Sequence, residues 1–376
     1  MVKAAVLEDI RKYAVHNYPK PEVDDNSILI KIDICGVCGT DIHMYEGHMK
    51  LPFPVIVGHE FVGTIEEMGD SARNLEVKGL SLSEGDLVTV VPGTNAFCGK
   101  CYFCRFQPHK PALCSNRRVL GINMSCRDPP HLFGGYAENI YVDAEHWWVY
   151  KIPDGVPPKV AVLTEAMATS THALERAFAP GLPTFGEGFG LGKSVVVQGV
   201  GPIGLGVVAT AKIAGAGKII AIDMVEDRLK IAEKMGSDYI IDMKQFDSSE
   251  KRVAEVNRLT DGRGGDVVVE CAGVPSAFRE GINMTRRGGK YCEVGHYSDP
   301  GNIEVNPHVI CNKYMDILGV WAYPPTQFDV ALQTLRLGID DFPFSDLITH
   351  TFKLSEVENS IKTVKSGKGI KMAIIP

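Results

Sequence analysis

The chain has 376 residues, 45% of them hydrophobic, and a formal net charge of −7. A chain of this length usually folds around more than one hydrophobic core, so we expect two domains. The acidic balance gives no broad basic surface for a phosphate backbone, which argues against a nucleic-acid partner. The first residues lack the pattern of an export signal, and no apolar run reaches the roughly 18–20 residues of a membrane span. We therefore expect a cytoplasmic protein without a membrane partner.

The first half of the chain predicts a compact β-rich domain. Its short apolar runs, among them "SILIKIDICG" and "VIVGHEFVGTIEEMG", are separated by Gly, Pro and Asp, as in strands joined by turns. Two glycine-containing turns in this region carry Cys38 and His59. A catalytic zinc ion needs three protein ligands and an open position, and these two residues are the candidates for its first two ligands.

Four cysteines lie within seventeen residues, 98–114, which read "CGKCYFCRFQPHKPALC". Thiolates brought this close repel one another unless a soft dication neutralises them, and four of them form a closed tetrahedral zinc site. The predicted ligands are Cys98, Cys101, Cys104 and Cys114. A closed site leaves no position for substrate, so this zinc is expected to be structural. The long gap before Cys114 leaves open whether His109 competes for the fourth position.

From residue 194 onward the sequence predicts a parallel sheet. Short apolar runs such as "SVVVQG", "KIIAID" and "GDVVVECAG" alternate with helix-length amphipathic segments such as "VEDRLKIAEKMG". Strands that alternate with helices indicate βαβ units. Cysteines at 126, 271, 292 and 311 have no ligand-like spacing and are interpreted as packed free thiols.

A glycine-rich turn opens the first of these helices. Gly199, Gly201 and Gly204 follow the strand "SVVVQG", and Asp223 ends the next strand. This context is typical of a dinucleotide-binding fingerprint, in which the helix N-terminus receives the diphosphate. Asp223 would accept hydrogen bonds from the adenosine ribose and repel a 2′-phosphate, which favours NAD over NADP. The same turn adds two candidate cofactor-binding residues, Pro202 and Ile203.

Four features in this order, the "CGTDIH" turn, the "GHE" turn, the cysteine cluster and the late dinucleotide fingerprint, resemble the zinc-dependent medium-chain alcohol dehydrogenases. The resemblance covers essentially the whole chain. It implies an α/β protein with a GroES-like β-rich catalytic domain (1–166) and a Rossmann coenzyme domain, a doubly wound parallel sheet (167–323). A C-terminal segment (324–376) would return to the catalytic domain, in agreement with its helices and closing strand, which do not extend the βα series.

The resemblance also implies a ligand set for the catalytic zinc. Cys38 and His59 match the first two ligands, and Glu165, in "VLTEAMATSTHAL", stands where the liver-type enzymes have cysteine. This replacement is similar to the polyol, sorbitol and threonine dehydrogenase branch. Glu60 would lie beside the zinc, and Asp41 would orient His59.

Further roles follow from the same resemblance. Thr40 and His43 match a relay that carries the substrate proton to solvent. Arg228 and Lys371 match basic residues that contact the adenosine or the pyrophosphate, although each is also an ordinary surface charge by pattern. The candidate pocket residues are Tyr45, Thr94 and Asn95, and core packing is an alternative for Tyr45.

The expected activity is hydride transfer between NAD and a secondary alcohol or ketone, with one catalytic and one structural zinc ion per chain. The partner would be a small polyol, diol or amino alcohol, and the resemblance implies a homotetramer, with a homodimer as the alternative. A primary alcohol dehydrogenase or aldehyde reductase is the competing enzyme interpretation. A nucleotide-binding relative without catalysis and a zinc ribbon that contacts nucleic acid are the competing classes.

Overall fold

The computed structural model describes residues 1–93, 98–178 and 189–376. These residues divide into two compact units. The first comprises 1–165, 323–336 and 344–376, and the second comprises 166–322 and 337–343.

The described strands, in chain order, are β1 (Val2–Asp9), β2 (Lys12–Tyr18), β3 (Ser27–Val37), β4 (Val55–Ile56), β5 (Glu60–Met68), β6 (Leu87–Val90), β7 (Asn139–Asp143), β8 (Val149–Lys151), β9 (Ser194–Gln198), β10 (Lys218–Asp223), β11 (Tyr239–Asp242), β12 (Gly265–Glu270), β13 (Thr285–Glu293), β14 (Asp316–Gly319), β15 (Ile348–Phe352) and β16 (Lys371–Ile374).

The described helices are α1 (Gly39–Tyr45), α2 (Tyr102–Phe106), α3 (Pro158–Ala161), α4 (Thr164–Ala177), α5 (Pro202–Ile213), α6 (Glu226–Lys234), α7 (Ser249–Leu259), α8 (Pro275–Met284), α9 (Pro307–Lys313), α10 (Gln327–Gly338) and α11 (Val357–Lys365), with short 3₁₀ turns at Ser71–Asn74, Pro111–Leu113, Phe344–Leu347 and Leu354–Glu356. Among the described helices, none has the length and apolar character that crossing a bilayer requires.

The first unit is built on two sheets. A three-stranded sheet has the order β2-β1-β4, and a seven-stranded sheet has the order β15-β16-β3-β5-β6-β8, with β7 also paired to β3. β3 is buried at most positions, and it pairs with β5 along one edge and with β7 and β16 along the other. The late strand β16 pairs antiparallel with β3, so residues 371–374 complete the sheet that begins near the N-terminus.

The second unit contains six parallel strands in the order β11-β10-β9-β12-β13-β14. This order reverses direction between β9 and β12, which is the topological switch point of a doubly wound dinucleotide-binding sheet. Apolar side chains from neighbouring strands, among them Val196, Ile220 and Val268, form a buried core. The predicted fold class, a β-rich GroES-like domain with a Rossmann domain, is confirmed.

Candidate functional site

Three segments of the first unit converge where β3 ends. Gly36 of β3 pairs with Glu60 at the start of β5, and Val37 pairs with Met372 of β16. Cys38 follows β3 directly and precedes α1, and Lys371 is the first residue of β16. The sheet register therefore places side chains from residues 38, 60 and 371 at one edge.

Asp41 organises the histidine of this edge. One oxygen, Oδ2, accepts hydrogen bonds from the Cys38 backbone N–H at 2.8 Å and from the Tyr136 hydroxyl at 2.7 Å. The other oxygen, Oδ1, lies 3.4 Å from His59 Nδ1. Gly58 permits this packing because its φ is +98° and an added Cβ would come within 2.6 Å of the Tyr136 ring. This carboxylate can hold the histidine in one orientation while Nε2 stays available to a metal.

Cys38, His59 and Glu60 form a candidate metal group. One ligand atom from each lies within 4.8 Å of the others, and the histidine and the glutamate are buried. Burial lowers the pKa of His59, but the Asp41 charge and contacts with Asp41 and Cys38 outweigh it, so that pKa is raised well above its ordinary value. The pocket thus favours positive charge, and thiolate, imidazole and carboxylate together suit zinc. The Cys38 thiol also donates to the Thr40 hydroxyl at 3.6 Å.

Glu60 is already paired with a cation. Its Oε2 contacts the ammonium group of Lys371, and the two side chains are 2% and 3% exposed. A Cβ at Gly36 would overlap the Glu60 carboxylate and come within 3.0 Å of Lys371 Cε, so glycine at 36 leaves the space that this pair occupies. The structure therefore places Lys371, a predicted cofactor-binding residue, against a carboxylate of the zinc region.

Glu165 lies outside the three-residue group. Its Oε1 accepts a hydrogen bond from the Tyr323 hydroxyl at 2.8 Å. Burial has the largest effect on the pKa of Glu165 and raises it. The charge of His59 lowers this pKa and the Glu60 carboxylate raises it, and the net result is a raised pKa. No oxygen of Glu165 belongs to the group formed by Cys38, His59 and Glu60, and its role as third zinc ligand stays a prediction.

The predicted relay residues lie on the same helix turn. Thr40 is 9% exposed, and His43 is half-buried on α1. His43 Nδ1 lies 3.1 Å from Nδ1 of the exposed His48. Burial, and then the His48 charge, lowers the pKa of His43, so the imidazole is mostly uncharged near neutral pH and can accept a proton.

The structure describes one of the three predicted pocket residues. Tyr45 is 9% exposed and its ring stacks on Tyr13 with a centroid separation of 5.8 Å. This contact supports the packing alternative for Tyr45. Thr94 and Asn95 lie outside the described residues.

The four-cysteine cluster is assembled as a group. Ligand atoms of Cys98, Cys101, Cys104 and Cys114 all lie within 4.8 Å of one another. The sulfur of Cys114 accepts backbone N–H bonds from Cys98 and Asn116, each at 3.4 Å. Cys114 therefore occupies the fourth position for which His109 was the alternative. A hydrogen bond from the Asn116 side chain contributes most to a pKa of about 6 for Cys98, which favours the thiolate that zinc binds.

The three glycines of the dinucleotide turn have distinct environments. Gly199 has a φ of +81°, and an added Cβ would lie 2.7 Å from Ala272 Cα. Nothing lies within 4 Å of a Cβ at Gly201, the residue before α5, whereas a Cβ at Gly204 would overlap the Gly199 carbonyl. Gly201 leaves open space for a diphosphate at the helix N-terminus, and Gly204 allows close helix packing. Between them stand two residues of the first helical turn, Pro202 and Ile203.

Asp223 fixes the shape of this turn. Oδ2 accepts the Val200 backbone N–H at 2.8 Å, and Oδ1 accepts those of Met224 and Val225 at 2.7 and 2.9 Å. Arg228 follows on α6, and its Nε is buried without a hydrogen-bond partner in the described part of the chain. A buried donor without a partner is costly, so an anionic ligand group at this position fits the residues present.

The sequence analysis missed an ion pair in the first unit and a cluster of ionisable side chains in the second. It did not anticipate the Lys371–Glu60 ion pair, since only the antiparallel register of β16 on β3 brings these residues together. It also missed a cluster in the second unit, where Glu270, Glu293 and His296 meet. The signal was present, because both glutamates end apolar strand segments, "VVVE" and "YCE".

The chain is similar to known proteins along most of its length. Residues 24–154 match the alcohol dehydrogenase GroES-like domain, and residues 202–336 match the zinc-binding dehydrogenase family. The chain is 34% identical over 366 residues to the sorbitol dehydrogenase of Halalkalibacterium halodurans, covering 97% of this chain and 96% of the relative. It is 30% identical over 363 residues to the L-threonine 3-dehydrogenase of Bacillus subtilis, covering 95% and 93%.

Solved structures give the same assignment. An alcohol dehydrogenase from Thermotoga maritima superposes with a TM-score of 0.88 at 31% identity, covering 100% of this chain and 99% of that chain. A zinc-binding dehydrogenase from Sinorhizobium meliloti, bound to NADP, gives a TM-score of 0.85 at 27% identity with the same coverage. The chain belongs to the zinc-binding medium-chain alcohol dehydrogenase family, and it is a zinc-dependent alcohol or polyol dehydrogenase that binds NAD(P).

Proposed function

We propose that this enzyme transfers a hydride between a secondary alcohol and NAD, with a polyol, diol or amino alcohol as substrate. The observation that carries the proposal is the convergence of Cys38, His59 and buried carboxylates at the end of β3. Sorbitol and threonine, named in two relatives, both carry a secondary hydroxyl next to another polar group. That shared chemistry supports the substrate class.

For the catalytic zinc we propose the ligands Cys38, His59 and Glu165. Charge balance supports this ligand set. Glu60 contacts Lys371, so this pair is neutral without a metal. A thiolate and the Glu165 carboxylate would then balance the two charges of zinc, while the Asp41 carboxylate is stabilised by hydrogen bonds from the Tyr136 hydroxyl and the Cys38 backbone. When bound, zinc supplies a Lewis acid that lowers the pKa of the substrate hydroxyl.

The chain's own groups would orient the metal ligand and move the proton. Asp41 Oδ1 lies 3.4 Å from His59 Nδ1, where it would orient the imidazole, and Asp41 is itself held by Tyr136 and by the backbone of residue 38. The Thr40 hydroxyl would accept the substrate proton and pass it toward His43, whose lowered pKa keeps the imidazole ready to receive it. NAD supplies the hydride acceptor.

We propose NAD rather than NADP as the preferred cofactor. Asp223 presents a buried carboxylate at the end of β10, where the ribose of the adenosine half lies in this class of fold. Its negative charge would repel a 2′-phosphate. The Arg228 side chain would contact the anionic part of the dinucleotide. The open space beside Gly201 would receive the diphosphate.

An activity panel tests the substrate class. The zinc-loaded enzyme would be assayed with NAD⁺ on polyols, vicinal diols, amino alcohols and simple primary alcohols, and kcat/KM compared. We expect the highest values for secondary alcohols with a neighbouring hydroxyl or amino group. A preference for primary alcohols would replace the proposal with the competing enzyme interpretation. Light scattering on the same sample would test the proposed tetramer against a dimer.

A further inference from the structure

A cluster of ionisable side chains lies at the carboxyl ends of β12 and β13. Glu270 and Glu293 are the last residues of these strands and face each other in the parallel register. His296 follows three residues after Glu293. Ligand atoms of all three lie within 4.8 Å of one another, and Glu270 is fully buried. Nothing in the proposed hydride transfer uses these residues.

Glu270 ties two loops together. Its Oε1 accepts the backbone N–H groups of Ala272 and Gly273 at 2.8 and 2.7 Å, just after β12. Its Oε2 accepts the N–H of Gly295 at 3.0 Å, just after β13. The carboxylate therefore fixes the chain at the ends of both strands.

Glu293 and His296 complete the cluster. His296 Nδ1 lies 2.5 Å from Glu293 Oε1 and 3.5 Å from Glu270 Oε2, so one imidazole contacts both carboxyl groups. The Tyr291 hydroxyl donates to Glu293 Oε2 at 3.1 Å. Burial, followed by the Glu293 charge, raises the pKa of Glu270 to about 8. Burial, followed by the charges of Glu270 and Glu293, raises the pKa of the neighbouring Cys271 thiol well above its ordinary value.

The topology of the sheet places this cluster opposite the adenosine half of the dinucleotide site. The glycine turn follows β9 and Asp223 ends β10, on one side of the switch point between β9 and β12. In a doubly wound sheet the dinucleotide crosses this point, and its second half lies over the carboxyl ends of the strands on the other side. Those strands are β12 and β13, which end in Glu270 and Glu293. The nicotinamide ring of this half is cationic in NAD⁺ and neutral in NADH.

We propose that Glu270 and Glu293 give the nicotinamide half of the site a negative field that favours NAD⁺ over NADH, with His296 setting the net charge of the pair. Two carboxyl groups facing one imidazole leave an excess of negative charge once both are ionised. Because the cluster is buried or half-buried, solvent screens this charge less than it screens a surface carboxylate. The proposal rests on the proposed use of NAD, and it adds residues that select the cofactor's redox state.

The test is a comparison of two dissociation constants. Calorimetry for NAD⁺ and nucleotide fluorescence for NADH would be used at pH 8.5 on the zinc-loaded protein without alcohol. We expect Glu293→Gln to weaken NAD⁺ binding about fivefold and to change NADH binding less than about twofold, as loss of one nearby charge predicts. Glu304→Gln removes an exposed carboxylate of the same unit and serves as the matched control, with both constants unchanged.

A second variant should act in the opposite direction. His296→Gln removes the basic side chain that contacts both carboxyl groups, so at the same pH we expect it to strengthen NAD⁺ binding relative to NADH. If Glu293→Gln weakens both nucleotides equally, or neither, the residues only shape the loops and the proposal is overturned. If the unmodified enzyme binds neither nucleotide but binds NADP, the proposed cofactor is wrong as well, which separates the two failures.

Discussion

Lys371 and Glu60 form an ion pair in the interior of the first unit, beside Cys38 and His59. The pair joins the first residue of β16 to the first residue of β5, and both side chains are almost fully buried. A buried charge that loses its partner is strongly destabilising, whereas an intact buried pair adds little stability by itself. The relationship therefore constrains substitutions at either position.

Lys371→Met is expected to lower the free energy of unfolding by about 3 kcal/mol, because it leaves the Glu60 carboxylate buried without a cation. Denaturant unfolding of the zinc-loaded protein measures this change. Lys20→Met breaks the exposed pair with Glu66 and should cost less than about 1 kcal/mol. Adding Glu60→Gln to Lys371→Met should restore part of the loss, and no restoration would contradict the ion-pair explanation.

The two candidate carboxylates can be separated by zinc content. Glu165→Ala is expected to lower bound zinc by about one ion per chain, as is Cys38→Ser, because each removes a proposed ligand. The double variant Glu60→Gln with Lys371→Met should keep the metal, since it removes the neutral pair and no proposed ligand. Metal analysis after gel filtration gives the count. Loss of zinc from this double variant with retention in Glu165→Ala would reverse the ligand assignment.

The four-cysteine cluster should affect stability more than chemistry. Cys101→Ser breaks a closed site, and we expect loss of about one zinc ion and a fall in Tm of about 10 °C or more. Differential scanning calorimetry measures the fall. Cys311, which the sequence predicts to be packed, is exposed in the structure, so Cys311→Ser is the control outside the cluster and should leave Tm unchanged. An unchanged Tm in Cys101→Ser would show that the cluster does not stabilise the fold.

Cofactor choice should depend on the charge at residue 223. Asp223→Asn keeps an acceptor for the backbone N–H groups of Met224 and Val225, replaces the oxygen that accepts the Val200 N–H with an amide NH2, and removes the charge. We expect the ratio of the NADP and NAD dissociation constants to fall about tenfold or more, because the repulsion of the 2′-phosphate is lost. Asp223→Ala should also weaken NAD itself. The same ratio in all three proteins would exclude Asp223 as the selecting residue.

Acid should destabilise the second unit through His172. Burial, and then the charge of Arg176, lowers the pKa of His172 to about 4. The unfolded chain therefore binds the proton more readily between the ordinary pKa and 4, and stability is lost as pH falls through this window. By pH 5 the loss is about 2 kcal/mol. The free energy of unfolding would be measured from pH 7.5 to 5 for His172→Gln and for the unmodified protein. We expect it to fall by about 2 kcal/mol less in His172→Gln. An equal fall in both proteins would show that His172 does not cause the acid sensitivity.

The sequence was informative where local chemistry decides structure. The glycine turn at 199–204 and the four-cysteine cluster are set by short spacings, and the structure assembles both. The alternation of apolar runs and amphipathic helices was enough to predict the parallel sheet. Contacts between distant residues were not accessible in this way. The Lys371–Glu60 pair depends on sheet register across more than 300 residues, and the Glu270–Glu293 pair depends on the register of two parallel strands.

The return of β16 to β3 has a consequence for the order of folding during synthesis. The strands of the second unit, β9 to β14, end at residue 319, so a translating ribosome has released all of them before it adds the residues of β16. The sheet of the first unit gains its last strand and the ammonium group of Lys371 only after residue 371 has emerged. Domains generally fold as units. We therefore expect the second unit to become protease-resistant on nascent chains before the first unit does, although the first unit contains the N-terminal residues.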